Sequence, residues 1–424
     1  MNKTALLDLL HFLENSPTAW HAVKNVEEKL ERAGFIPLNE EETWKLKPGN
    51  KYFTIRNGSS LIAFEMPLEE PTSALITASH TDSPSFKLKS NPEFVKDNAT
   101  LLGLEVYGSP LISSWLNRAL SIAGRVFFLD KQGKRKKELI HLKDHPVILS
   151  QLAIHLDRKA NEEGPLFKLQ DHLAAICALD AKVPYLETLL KKTLKAKTIL
   201  SFDLFLAPIE KASLIGQNQE MLSSYRIDSL LSVHACLTSL IESKSKSLHA
   251  LKVIAFFNHE EVGSGSSEGI SSPFLSHTLE RIILCQNRGR EAFFQLLAKS
   301  FLISVDLAHA AHPNYKEKHE PNHMPLLNRG IAIKQNAKLA YASNASSISR
   351  IVHLCEENKI SFQHYMCRND MPCGTTIGPL NAAATGIETV DIGVPQLAMH
   401  ACQELAALKD QSDMCHLLTA FFNS

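Results

Sequence analysis

Three apolar runs of strand length in this chain each lead to a side chain that can bind a metal or move a proton, and that recurrence constrains the fold most. The run from Ser73 to Ser79 leads into His80, the run from Leu251 to Phe257 leads through Asn258 and His259 into Glu260 and Glu261, and the run from Phe301 to Val305 leads into Asp306. Short continuous apolar runs are the mark of strands buried on both faces. Between and after them stand stretches with helical periodicity, Ile227 to Leu240, Phe274 to Leu284 and Ala345 to Glu356, with further strands at Ser361 to Tyr365 and Glu388 to Ile392 and a C-terminal helix. Strands alternating with helices predict an α/β sheet layered by helices.

A chain of 424 residues exceeds one ordinary core and calls for two domains or an insertion. The N-terminal part reads as two helices, with Leu6, Leu7, Leu10 and Leu13, then Trp20, Val23, Val26 and Leu30 at helical spacing, followed by a hairpin turning at Asn57-Gly58. From about Asn91 the texture changes, with the turn signals Tyr107-Gly108 and Asp130 to Lys137 and few helical repeats. Residues 91–221 are therefore expected to be an inserted β-rich domain, which leaves 1–90 and 222–424 as a discontinuous catalytic domain. The stretch 242–247 reads as a solvated loop.

Composition removes several function classes. Basic and acidic residues number 45 each, so no net charge draws the chain to nucleic acid or to an anionic membrane, and neither partner is expected. The apolar runs fall far short of the ~20 residues that span a bilayer, and the start carries Asp8 and Glu14 in a helical pattern unlike a secretion signal. The eight cysteines are dispersed with no C-x-x-C pair, so neither a disulfide framework nor a thiolate zinc site is expected, and a cytoplasmic location fits.

Each candidate site residue has a plain reading beside the chemical one. His80 with Asp82 two residues on could be a ligand whose far ring nitrogen is held by the carboxylate, or an ordinary turn with Pro84. Glu260 and Glu261 lie just beyond the end of a buried strand, where an accidental double charge is unusual; one could bind metal while the other meets a water. Asp306, His400 just ahead of an expected helix, and Asp228 at the opening of another are each, alone, equally read as caps or satisfied core groups. Taken together they are two histidines and three carboxylates with no thiolate, a set that suits zinc, cobalt or manganese.

The segments HTDSP from His80, RIDSL from Arg226, HEEVGS from His259, SVDLAHAAHPNY from Ser304, RNDMPCGTTIGP from Arg368 and VPQLAMH from Val394, in this order, resemble those of the aspartyl aminopeptidase family, metallopeptidase family 18. The resemblance implies a layered α/β/α metallopeptidase domain with an inserted dimerisation domain, acting on peptides and assembled as a homododecamer of dimers. It implies two zinc ions bridged by Asp228, one completed by His80 and Asp306 and the other by Glu261 and His400, with Glu260 as general base. It also implies that His155 reaches a neighbouring subunit's active site, and that Lys334 is the positive group which reads an acidic N-terminal side chain. His309, His312 and the loop from Arg368 to Gly378 would line the same cavity.

Two departures stand out, at Asn117 and Ala119, where the family shows acids, and at Ala340, where it shows arginine. They leave open a second reading, the same fold with a neutral or basic N-terminal preference. A third, a degenerate scaffold without catalysis, would be marked by lost ligands, and all six central residues are present.

Overall fold

The computed structural model describes residues 2–181, 184–244 and 247–424, so Ser245 and Lys246 of the expected 242–247 loop lie outside the described residues. Two compact units emerge: residues 1–82, 212–399 and 404–424 form the larger, and residues 83–211 with 400–403 form the smaller. The smaller unit thus starts at 83 where the sequence points to 91, and its long segment ends at 211 where the sequence points to 221. Both shifts have a pairing cause. The strand Ser85–Lys96 already belongs to the smaller unit's barrel, whereas the hairpin Ser213–Ile215 and Met221–Ser224 pairs with Glu404–Ala407 in the larger unit.

The larger unit is built on a nine-stranded sheet. At its centre Ser73–His80 lies between Ala250–Phe257 and Phe301–Val305, parallel to both. Phe257 is registered opposite His80, so the chain turns after both strands begin at one level. Glu388–Gly393 continues the parallel set beside Phe301–Val305, and Ile331–Gln335 pairs with it antiparallel.

Side chains alternate across this sheet with the period of two that a strand imposes. In Ala250–Phe257, Ile254 and Phe256 enter one apolar cluster, while Leu251, Val253, Ala255 and Phe257 enter another. The first cluster is closed by helices Lys3–Glu14, Ala19–Arg32, Ile227–Glu242, Ala345–Glu357 and Leu408–Asn423. The second is closed by Phe274–Leu284 and Arg290–Lys299. Burial on both faces is why these strands read as unbroken apolar runs, and truncating a fully buried ring such as Phe256 to alanine would cost about 3–5 kcal/mol.

In the larger unit the helices Arg290–Lys299 and Ile377–Thr385 go beyond those the sequence pattern predicts, as does Tyr185–Leu194 in the smaller. The second opens on Ile377, Gly378 and Pro379, residues that read as loop although proline is well tolerated in a first helical turn.

The smaller unit is a closed six-stranded barrel, in the order Thr198–Pro208, Ser85–Lys96, Ala99–Tyr107, Ala174–Leu179, Arg135–Ile148 and Ala119–Leu129. Closure removes the unpaired edges that a free sheet exposes. Gly124 makes one close approach: a Cβ there would lie 2.0 Å from the Asp203 carbonyl oxygen. Asp203 itself receives Lys87 Nζ and Arg125 Nε, each at 2.8 Å, and these two cations hold its pKa below the ordinary value against the opposing effect of burial.

Candidate metal centre

His80 ends its strand, and Nδ1 of its ring lies 3.1 Å from the Asp82 carbonyl oxygen. A carbonyl only accepts, so Nδ1 carries a hydrogen, which leaves Nε2 as the nitrogen that a metal could take. That Nε2 faces Asp228 Oδ1 at 3.3 Å and Asp306 Oδ1 at 3.5 Å. The Asp82 carboxylate faces the same nitrogen, its Oδ1 3.5 Å away, beyond the nearer main-chain oxygen. The carboxylate also accepts the N–H groups of Glu260 and Glu261, each at 3.1 Å. Asp82 thus ties the turn after one central strand to the turn after its neighbour.

The two glutamates occupy a single tight turn, Glu260–Val262, bounded by left-handed residues His259 and Gly263. Asp228 stands ahead of the regular part of its helix, in an extended conformation with φ −82° and ψ 108°, and its N–H donates to Glu404 Oε2 at 3.0 Å. The residue before Ile227, Arg226, is left-handed and buried, and its guanidinium donates to the carbonyls of Ser16 and Thr81. The peptide bond Asp228–Ser229 is cis. Asp306 splits its oxygens: Oδ1 accepts the Leu307 N–H at 2.7 Å and faces His80, while Oδ2 lies 3.4 Å from Lys334 Nζ.

The electrostatics of the cluster are those of crowded, buried like charges. Burial, reinforced by Asp306, Asp82 and Asp228, pushes Glu260 up to about 8 against the pull of His80. Burial and then Asp228 raise Glu261 well above the carboxylate range. Burial alone would depress His80, but Asp228, Asp306 and Asp82 outweigh it and raise its pKa. One ligand atom each from His80, Asp228 and Asp306 lies within 4.8 Å of the other two, and the same holds for His80, Glu260 and Glu261. Carboxylates gathered around an imidazole, with oxygen and nitrogen donors and no sulfur, form a set suited to a divalent cation such as zinc. Such an ion would relieve the repulsion that the raised pKa values register.

The remaining expected residues lie in four places. His400 begins the short segment 400–403 grouped with the smaller unit; it follows the strand Pro395–Leu397, and the next helix starts only at Leu408. Its Nδ1 lies 3.1 Å from the Ser109 carbonyl oxygen, so its ring is oriented as that of His80 is. His155 is exposed on a turn. Upstream of it, Asn117 accepts the Gln151 N–H at 3.0 Å, so one departure from the resembled pattern anchors the start of this segment. Ala119 opens a barrel strand opposite Ile148, and Ala340 gives its carbonyl to the Thr375 hydroxyl at 3.1 Å.

His309 and His312 both line a cavity of about 270 Å³ in the larger unit, together with Lys318, His319, Tyr365 and Arg368. Sequence reasoning missed Lys318 and His319, whose only signal was a basic run after Tyr315. Lys334 does not line this cavity. It is 1% exposed, and its ammonium donates to the Leu307 carbonyl at 2.7 Å and lies 5.3 Å from the Tyr341 ring centre. Asp391 was also missed. It is fully buried, its Oδ1 accepting the Thr376 hydroxyl and its Oδ2 the Ala342 N–H, both at 2.6 Å. An acid inside the apolar run Glu388 to Ile392 was the available sign.

A sequence profile described as aminopeptidase I zinc metalloprotease (M18) matches residues 12–422. A probable M18 family aminopeptidase 2 from Azotobacter vinelandii is 38% identical over 426 residues, covering 98% of this chain and 97% of that protein. One of the same name from Pseudomonas aeruginosa is 37% identical with the same coverage. Among solved structures, that of the Ape4 and Nbr1 complex is similar with a TM-score of 0.94 and 34% identity, covering 99% of this chain and 86% of that chain. The M18 aminopeptidase of Thermotoga maritima shares the fold at a TM-score of 0.88 and 22% identity, covering 99% of this chain and 96% of that one. The mApe1 dodecamer of S. cerevesiae shares it at 0.84 and 23%, covering 99% and 96%.

Proposed function

The chain belongs to the M18 family of zinc metalloproteases and is a metalloaminopeptidase, and from that premise we propose that it removes N-terminal aspartate or glutamate from peptides with two zinc ions. The observation that carries the reading is the gathering of His80, Asp228, Glu260, Glu261 and Asp306, from separate strand ends and loops, into one buried cluster. In this reading His80 and Asp306 would hold one ion, Glu261 and His400 the other, and Asp228 would serve both. Cobalt or manganese would suit the same donors.

Bound zinc supplies Lewis acidity, which makes water a nucleophile near neutral pH and polarises the scissile carbonyl. Glu260 would be the proton carrier, its carboxylate taking a proton from the attacking water and returning it to the leaving amine. Asp82, through the Glu260 and Glu261 amides, keeps base and ligand in fixed relation. The carboxylates favour a free α-amine on the substrate, hence cleavage of the first residue. His155, exposed on its turn, is assigned to the neighbouring subunit's site, where an imidazole would stabilise the developing oxyanion. The exposed side chains of Leu152, Ile154 and Leu156 around it support burial against a second copy, within a homododecamer of dimers. A cytoplasmic location accords with eight free cysteines.

Preference for an acidic first residue rests on the cations Lys318 and Arg368 that line the 270 Å³ cavity beside His309 and His312; burial and His312 lower the pKa of His319, so it adds little charge. Arg368 is shared with Asp370, which tempers that charge. A panel of aminoacyl amides tests the reading, run on wild type with metal removed and restored. Aspartyl and glutamyl amides should turn over fastest, with none cleaved in the metal-free protein. Faster release of leucine would replace the acidic preference with a neutral one, and no cleavage of any amide with zinc or cobalt present would remove the two-metal reading.

A further inference from the structure

We propose that Cys367 and Cys373 are a reversible dithiol–disulfide pair, whose oxidation ties off the loop between them and slows hydrolysis. The effect on hydrolysis rests on the peptidase reading above; the bond itself does not. Cys367 directly follows the strand Phe362–Met366, and Cys373 stands shortly before the helix Ile377–Thr385. Both side chains pack on one small apolar cluster that includes Tyr341 and Tyr365, whose ring centres are 6.1 Å apart. The two thiols are hydrogen-bond partners of each other, and they also partner the hydroxyls of those tyrosines, Cys367 with Tyr365 and Cys373 with Tyr341. Cys367 Sγ lies 3.5 Å from the Pro372 carbonyl oxygen, the group immediately ahead of Cys373.

A disulfide forms without strain only where the backbone already holds the two residues close. Here both ends of the loop are fixed. Tyr365 and Met366 are registered against Lys334 and Gln335, while the hydroxyls of Thr375 and Thr376 donate to the Ala340 carbonyl at 3.1 Å and to Asp391 at 2.6 Å. Both thiols are partly exposed, whereas Cys236, Cys355 and Cys402 are buried, so a solution oxidant has access. Oxidised glutathione supplies the chemistry. The Cys367 thiolate attacks one of its sulfurs and expels one glutathione; the Cys373 thiol then gives up its proton, attacks the Cys367 sulfur and expels the second. The dithiol loses two electrons and two protons, and the glutathione disulfide takes them up as two thiols. Burial raises the pKa of Cys373, which suits it to the second attack, where its target is already beside it. Cys367, Arg368, Met371 and Pro372 line the 270 Å³ cavity, so the new bond shifts a wall against which the first residue of a substrate would lie.

The test equilibrates the zinc-loaded protein in mixtures of reduced and oxidised glutathione, quenches it by alkylation and reads the digest by mass. As oxidised glutathione rises, the peptide spanning 367–373 should lose two hydrogens and take up no alkyl group, and a phosphine reductant should restore both thiols. Two alkylated thiols at the most oxidising ratio, or glutathione adducts in place of the cross-link, would overturn the proposal. Over the same series kcat/KM for an aspartyl amide should fall by about 10-fold, the scale of a small misplacement of a positioning group, and recover on reduction. A complete cross-link with unchanged kcat/KM would overturn the effect on hydrolysis. Cys367→Ser and Cys373→Ser are each compared with themselves before and after oxidised glutathione, and neither should respond. A reversible loss persisting in either variant would place the sensitive thiol elsewhere and overturn the assignment. Because the cross-link is read without turnover, a protein that cleaves no amide at all defeats the proposed activity and leaves the disulfide test standing.

Discussion

Asp203 in the barrel and Glu260 in the larger unit are both partly sheltered carboxylates, and their surroundings are opposite. Asp203 has two cations at 2.8 Å and a lowered pKa; Glu260 stands among Asp306, Asp82 and Asp228 and is pushed up to about 8. The first arrangement is what stability alone selects, since a buried charge is tolerated when paired. The second makes sense only if something positive arrives from outside the chain. Like charges packed together in a well-formed core are therefore a better sign of function than any single residue type.

The comparison breaks most visibly at Glu260. Glu260→Gln, which keeps shape and removes the proton acceptor, should lower kcat by about 100-fold or more while zinc content stays at the wild-type value. Loss of zinc in parallel would make Glu260 a ligand and not a base. Next in size, His155→Ala should reduce kcat by about 100- to 1,000-fold at most, the usual range for one oxyanion donor, with the assembly intact by light scattering. Full activity in a folded, strictly monomeric variant would remove His155 from the site.

The two carboxylates also predict opposite pH behaviour. Glu260 and Glu261 have folded pKa values above their unfolded ones, so the metal-free fold binds extra protons and loses stability as pH rises from about 4 through about 8. The melting temperature of the metal-free protein should fall between pH 6 and 8, and the gain on adding zinc should grow over the same interval. A zinc-induced gain that does not depend on pH would contradict the like-charge picture. Asp203 has the reverse sign: its lowered folded pKa gives stability present above about 4 and lost as pH falls further. Asp203→Asn should cost about 1 kcal/mol at pH 7 by denaturant melts, because the pairs are partly solvated. The gap from wild type should close toward pH 3.

Most of what positions the centre was legible because it depends on local pattern. The strands bearing His80 and leading to Glu260 and Asp306 are apolar on both faces, and a run that stops at a charge marks where the strand leaves the core. What the sequence hid depends on pairings made across long stretches of chain. The Asp82 carboxylate caps two amides some 178 and 179 residues away. Lys334 looks like any strand lysine until Asp306 and Tyr341 surround it. Likewise, the hairpin at 213–224 gives no sign of its pairing with Glu404–Ala407, which moved the expected boundary of the insert. Around His155 the chain turns and leaves Leu152, Ile154 and Leu156 outward, an exposure that no local pattern announces.

The barrel's first and last strands meet, Lys87 beside Phe205, with the Ser85 hydroxyl donating to the Leu206 carbonyl at 2.6 Å. In folding, this makes the insert a tuck in the thread. Pairing Ser73–His80 with Ala250–Phe257 would otherwise close a loop of roughly 175 residues; once the barrel has formed, the effective loop is roughly 50, and closure becomes cheaper by about 1 kcal/mol. A large interruption between two neighbouring catalytic strands thereby slows their meeting far less than its length implies, provided that it folds first.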